Sequence, residues 1–472
     1  MIAIEGLISR VRFFHGKKEY TLTDGNIEHQ LKSDESIPQG AAVAVEGEMA
    51  VGGVVARKVV ILEGEKARKV FEKAKDAIAR SSSVPDAPSL LDDDIVKKIW
   101  PRLRYAAVEL LCAKKLGRSV LMRFHGDADG ICGAFALTSV IYCKAFQQNS
   151  AVYGVKDALR DISAIGQENR PLVVLLDFGS GDSSIEGLNL LTAAGIGYLV
   201  IDHHPYNHKE NEKIINPISA DESASKYTAG YLACEVATAC GLEREKALEL
   251  AKTSCAGDKS DIIGNGEADA KRAMVLDFLA SHVSFGNNLD FYRNVMMKAE
   301  LFDSIAVQAD ESIEDAAGKA MARMKVTETT PKPETENRKL EAGNHAAEAA
   351  SPQARRAEGR LRIAVFSLEN IVKRGEWPPS SKVTTRIFDK LKGEGPLLCI
   401  GHTDRTIIMR LNDGAVEMGL DANGLAEKMK TSMGDFVEGG GGHVRAGAIR
   451  AKAGFVKDVL NQLLGEAAGL AK

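Results

Sequence analysis

The sequence contains no apolar run long enough to cross a bilayer, no CxxC pair, no repeat of fixed period and no excess of basic charge. A spanning helix needs about 20 largely apolar residues, so none is expected. The opening stretch MIAIEGLISRVRFF lacks the basic, apolar, small-residue order of a secretory signal, and a cytoplasmic location is expected. The seven cysteines (Cys112, Cys132, Cys143, Cys234, Cys240, Cys255 and Cys399) are odd in number and have no spacing that would clamp zinc. Reduced, buried thiols are expected. A net charge of -4 and a pI near 6.3 exclude a molecule that attracts polyanions over its whole surface. Any nucleic acid must be held by a local groove or through metal ions.

What is present describes a protein of two to four domains, 472 residues long, 44% hydrophobic and 27% charged. Short β-rich runs broken by Gly, Asp and Pro fill residues 1–63 and predict a small all-β, OB-like barrel in which Phe13, Phe14 and Tyr20 are the aromatics available to stack on bases. Residues 64–100 read as a helical connector. Strand, loop and helix then alternate: SVLMRF, PLVVLLDFG and IGYLVIDHH are short apolar strands followed by helices. This alternation predicts an α/β domain over 101–326 with a doubly wound parallel sheet. Residues 327–360, rich in Thr, Pro, Glu and Ala, read as a flexible linker. A smaller C-terminal α/β domain follows over 361–472.

Open α/β sheets bind ligands at the carboxyl ends of their strands, and there the sequence repeatedly places hard ligands. His125, Asp127 and Asp129 stand in HGDADG, Asp177 in LLDFG, and Asp202, His203 and His204 in IDHH; Asp258, in AGDKSD, is a further candidate. Each alone also reads as an ordinary cap or turn. Together they form a crowd of carboxylates that repels itself without cations. Carboxylates with imidazoles suit Mn2+ or Mg2+, and shared aspartates suit two ions, the arrangement that promotes in-line attack of water on a phosphoryl group. In GGGGHVRAGAI, residues 439–449, Gly440, Gly441 and Gly442 let backbone N–H groups approach an anion, with His443 and Arg445 as charge-assisted donors. His402 and Arg405 are lesser candidates, as are Lys226 and Tyr227 at a helix start.

In that order, HxDxDG, a strand-end Asp, DHH and a later helix-end Asp resemble the four motifs of the DHH phosphoesterase superfamily over about residues 119–261. The glycine run resembles the GGH motif of the DHH-associated domain, which in that family faces the metal site. The resemblance implies that Asp127 and Asp129 bind separate ions, that Asp177 bridges them, that His203 and Asp258 complete one ion, and that His204 contacts the scissile phosphate. His125 matches a position that is a ligand or lies just outside the ligands, and Asp202 is expected to orient His203.

Within that superfamily, the β module and the chain length favour a RecJ-like exonuclease, most similar to the archaeal type, acting on single-stranded DNA or RNA in replication or repair. A phosphatase for short oligonucleotides or cyclic dinucleotides, and a replisome-associated scaffold with residual activity, are the other readings. The expected partners are single-stranded nucleic acid and a replication or repair protein. The expected cofactors are two divalent cations, Mn2+ in preference to Mg2+.

Overall fold

The computed structural model describes residues 2–14, 17–207, 209–222, 224–282, 289–329, 360–393 and 395–470. It divides into two compact units, Met1–Ala306 and Val307–Lys472.

The first unit opens with a closed barrel of β1 (Ile2–Phe14), β2 (Lys17–Thr23), β3 (Glu28–Lys32), β4 (Ala42–Ala50) and β5 (Gly53–Leu62), in the order β1-β2-β3-β5-β4. The long β1 pairs with β4 through its first half and with β2 through its second, with a register shift between Ile8 and Arg10. Such an irregularity bends a strand round a barrel corner. Ile8, Tyr20, Leu22, Leu31, Val43, Val45 and Val54 fill the interior. Helix α1 (Gly64–Ser81) repeats apolar residues at helical spacing and packs Val70, Ala74 and Ile78 against Leu7, Ala42, Cys112 and Leu116. Helix α2 (Asp94–Lys115) starts where the Asp93 carboxylate accepts from the N–H groups of Ile95 and Val96. It runs through position 100, so the boundary expected between connector and catalytic domain falls inside a continuous helix.

The parallel sheet follows: β6 (Val120–His125), α3 (Ala128–Thr138), β7 (Lys144–Gln148), α4 (Val155–Ile165), β8 (Leu172–Leu176), α5 (Ile185–Ala193), β9 (Gly197–Ile201) and the short β10 (Ile214–Ile215). The order is β10-β9-β8-β6-β7, parallel throughout. The chain leaves β6 toward β7 and returns to β8 on β6's other side, so the topological switch point lies between β6 and β8. One face packs under α2, α3, α6 (Ala229–Ala239), α7 (Arg244–Gly257), α8 (Glu267–His282) and α9 (Leu289–Met297). The other packs under α4 and α5. Gln39 Nε2 of the barrel donates to the Gly117 carbonyl at 3.0 Å, three residues before β6. The barrel therefore sits at the amino ends of these strands, opposite the edge that carries the acidic motifs. β7, with the sequence KAFQQ, is a polar edge strand that lacks the apolar signature of the other strands.

Helix α10 (Ala299–Met321) crosses into the second unit, where Ala316, Ala317 and Ala320 pack against Phe366, Val383 and Ile387. This unit contains β11 (Lys325–Thr329), β12 (Leu361–Ser367), α11 (Ser380–Leu391), β13 (Leu397–His402), β14 (Thr406–Leu411), α12 (Asp413–Glu417), α13 (Ala422–Ser432), β15 (Val437–His443), β16 (Ala446–Ala451) and α14 (Val456–Leu470). Its sheet runs β11-β12-β13-β14-β16-β15, with β12 and β13 parallel and the other pairs antiparallel. The helices α13 and α14 cover one face, and α10 with α11 cover the other. The expected linker differs in one respect: residues 327–329 belong to β11, paired in register with β12. Residues 330–359 lie outside the described residues. No helix among the described residues is long and apolar enough to cross a membrane.

Candidate metal centre

The switch point brings the acidic motifs together. His125 ends β6; Asp127 caps α3, its Oδ1 accepting from the Gly130 N–H at 3.0 Å; Asp129 lies in the first turn of that helix. Asp177 follows β8 directly and adopts φ 64°. Aspartate tolerates the left-handed region better than most residues, at a cost of roughly 1–2 kcal/mol, and here the conformation turns the chain sharply at a strand end. Asp202, His203 and His204 follow β9, and Asp258 is the residue after α7.

The donor groups form two clusters around Asp177. His125 Nδ1 is 2.7 Å from Asp127 Oδ2 and 3.3 Å from Asp177 Oδ2. His203 Nε2 is 3.4 Å from Asp177 Oδ1, 3.4 Å from Asp258 Oδ2 and 3.8 Å from Asp129 Oδ2. One oxygen of Asp177 thus faces each cluster. Asp177 is 1% exposed, and its Oδ1 accepts no well-formed hydrogen bond; 3.4 Å is beyond the usual N–H···O range. A buried carboxylate oxygen left in this state, among three further carboxylates, fits a cation and is costly without one.

The electrostatics point the same way. Burial and the nearby charges of Asp177 and Asp258 push the Asp129 carboxyl well above its ordinary range. At Asp127 burial acts upward, but the His125 imidazole outweighs it and holds the group low. At His203 burial favours the neutral ring, yet Asp177, Asp258 and Asp129 raise it well above its ordinary value. The cluster attracts positive charge to its own imidazoles. These acidic and histidine groups can hold metal, and their oxygen-rich, thiolate-free donor set fits Mn2+ or Mg2+.

The supporting groups are not legible in the motifs. Asp129 accepts from the Ala229 and Gly230 N–H groups at 2.9 and 2.8 Å and from Ser254 Oγ, so the amino end of α6 holds it. A side chain at Gly230 would collide with Asp129, its Cβ lying 2.6 Å from the Asp129 carbonyl oxygen. Asp277 of α8 accepts from the Ala128 N–H at 2.8 Å, between the two motif aspartates. His203 Nδ1 lies 2.8 Å from the Ser225 carbonyl, which leaves Nε2 toward the carboxylates. Asp202 departs from its expected role. Its Oδ1 lies 2.8 Å from Nδ1 of His204 and accepts the backbone N–H groups of both histidines, so the ring it orients is that of His204. Tyr227 is 3% exposed and donates to the Asp93 carboxylate at 2.8 Å, a packing role that places its hydroxyl at the start of α2.

The glycine run is an edge strand. Gly440, Gly441, Gly442 and His443 pair with Ile449, Ala448, Gly447 and Ala446 of β16, and α13 lies against them. Gly442 adopts φ 148°, donates its N–H to Asn423 Oδ1 at 3.0 Å, and has no room for a Cβ, which would stand 2.2 Å from the Ala446 carbonyl oxygen. Arg445 is exposed and pairs with Asp413 at 2.7 Å. His402 ends β13, half-buried.

Residues 119–257 match the DHH family, N-terminal domain. An uncharacterized protein of Methanocaldococcus jannaschii is 26% identical over 282 residues, covering 50% of this chain and 37% of the relative, so the chain spans little more than a third of that protein's length. Among solved structures, the DHH domain of a member of the S1p family of ribosomal proteins superposes with a TM-score of 0.69 at 23% identity, covering 86% of this chain and 99% of that one. RecJ of Thermus thermophilus, in complex with Mn2+, superposes with a TM-score of 0.50 at 16% identity over 85% of this chain and 59% of RecJ. The similarity to the DHH family is thus confined to the part of the chain that holds the parallel sheet. The fold of the chain is the one found in RecJ.

Proposed function

We propose that this protein is a metal-dependent phosphodiesterase that hydrolyses single-stranded DNA or RNA from an end, with two divalent cations, Mn2+ or Mg2+, and a role in replication or repair. The observation that carries the reading is Asp177, whose two oxygens face separate donor clusters, His125 with Asp127 on one side and Asp129, His203 and Asp258 on the other. Those clusters would hold one ion each, with Asp177 shared. When bound, the pair supplies Lewis acidity to ready a water and to neutralise the reacting phosphoryl oxygens. The chain contributes the rest. The Ser225 carbonyl holds His203 in the tautomer that offers Nε2, and Asp202 holds Nδ1 of His204, whose Nε2 would meet a phosphoryl oxygen. His443 and Arg445 would bind substrate from the glycine strand, with Gly440, Gly441 and Gly442 admitting it close to the backbone. The RecJ whose fold is shared binds Mn2+, which supports the choice of ion.

The test is incubation with Mn2+ and end-labelled single-stranded DNA and RNA of several lengths beside an Asp177→Ala control. Stepwise, Mn2+-dependent shortening that falls at least about a thousandfold in the variant is expected, because residues acting as one unit fail together. Cleavage of only the shortest oligomers would instead favour a small-substrate phosphatase. Inert long and short strands would favour a scaffold.

A further inference from the structure

Behind His204 lies a ring of buried polar groups that holding a metal does not require. Asn216, 0% exposed, donates from Nδ2 to the His204 carbonyl at 2.8 Å and to Ser180 Oγ at 3.3 Å. Ser180, 1% exposed, donates from Oγ and from its backbone N–H to Asp202 Oδ2 at 2.6 and 3.0 Å. Asp202 meets the His204 ring through its other oxygen, which closes the ring. Three separate segments therefore meet around one histidine: the turn after β8, the end of β9 and the residue after β10.

Each partner has a donor or acceptor in its place, and a fully satisfied buried network fixes one geometry where a partly satisfied one does not. Asn216 Oδ1 is separately occupied, accepting from the Ile218 N–H at 3.0 Å to start the turn at Pro217–Ser219. That capping bond accounts for an Asn at this position. It does not account for Nδ2 reaching back to His204 and Ser180.

The geometry points to Asn216 and Ser180 as positioning residues for His204, holding its backbone and, through Asp202, its ring so that Nε2 meets the scissile phosphate. This rests on the phosphodiesterase reading above. Side chains that orient a working imidazole contribute roughly ten- to a hundredfold.

The test uses the full-length Mn2+-loaded protein and a short single-stranded oligonucleotide, with Asn216→Ala and Ser180→Ala each made alone and in a His204→Ala background. Ser180→Ala keeps the backbone donor to Asp202 and so guards against a folding failure at Asn216. Either variant is expected to lower kcat about ten- to a hundredfold, to leave KM and calorimetric Mn2+ affinity within about twofold, and to add almost nothing once His204 is gone. Either should also abolish the His204 Nδ1 proton resonance in histidine-labelled protein. Losses that multiply fully in the His204→Ala background, a fall in Mn2+ affinity that matches the fall in kcat, or a persisting Nδ1 resonance would overturn the assignment. Loss of the resonance alongside an unimpaired His204→Ala enzyme would leave the positioning intact and refute the phosphate role of His204.

Discussion

At the carboxyl edge of the parallel sheet Asp129, Asp202 and His203 are buried and each is held by a second group, whereas along the glycine strand of the six-stranded sheet the backbone carries the pattern and the charged side chain is exposed. Asp129, Asp177, Asp202 and His203 are each no more than 2% exposed; Arg445 pairs with Asp413 in solvent. The first edge concentrates charge that the fold does not neutralise, and so it favours a binding partner over its own stability. The second has little electrostatic tension and accepts its shape from glycine. Substitutions at the two edges should therefore act on different quantities.

The sharpest break is Asp177→Asn, which keeps the shape of the side chain and removes the shared charge. Activity should fall by about a thousandfold or more, and the melting temperature of the metal-free protein should rise by a few degrees, equivalent to about 1 kcal/mol. Differential scanning fluorimetry in EDTA reads the second effect; a lower melting temperature would mean that Asp177 supports the fold instead of straining it. Next in size is metal addition. At a hundred times its dissociation constant Mn2+ should stabilise the first unit by about 2.7 kcal/mol, seen as slower amide exchange at the ends of β6, β8 and β9. Equal protection of β15 and β16 would contradict the expectation that metal acts on the first edge alone. Gly442→Ala comes third. Its strained φ and blocked Cβ should cost about 1–3 kcal/mol with Mn2+ affinity unchanged, as calorimetry beside a melting curve would show.

These expectations also show where sequence is informative. HGDADG, LLDFG and IDHH mark the candidate ligands because acidic and histidine residues recur at strand ends, and apolar runs such as VLMRFH and LVVLL reveal the buried strands that bring them together. Strand β7 escapes because an edge strand need not be apolar. The partners of these candidate ligands escape for a different reason. Ser225 acts through a carbonyl, and Ala229 and Gly230 act through N–H groups that almost any residue possesses. Asp277 lies 149 positions from the N–H it accepts. That the glycine run forms an edge strand escapes as well, since composition cannot distinguish a loop from a strand whose glycines admit a neighbouring strand and helix.

Arg445→Ala is the mildest change and the one that bears most directly on the second edge. An ion pair exposed at both ends contributes little, so the melting temperature should move by less than an amount corresponding to about 0.5 kcal/mol, and Mn2+ binding should not change. If the arginine meets a terminal or penultimate phosphate, KM should rise by roughly tenfold, about what one charge-assisted hydrogen bond is worth, with kcat less affected. Lysine at the same position should restore part of that loss, since it keeps the charge but not the two-pronged geometry. Steady-state kinetics on a single-stranded oligonucleotide decides between this and unchanged constants. Unchanged constants would leave Arg445 paired with Asp413 alone and confine substrate recognition on that strand to His443 and the glycine backbone.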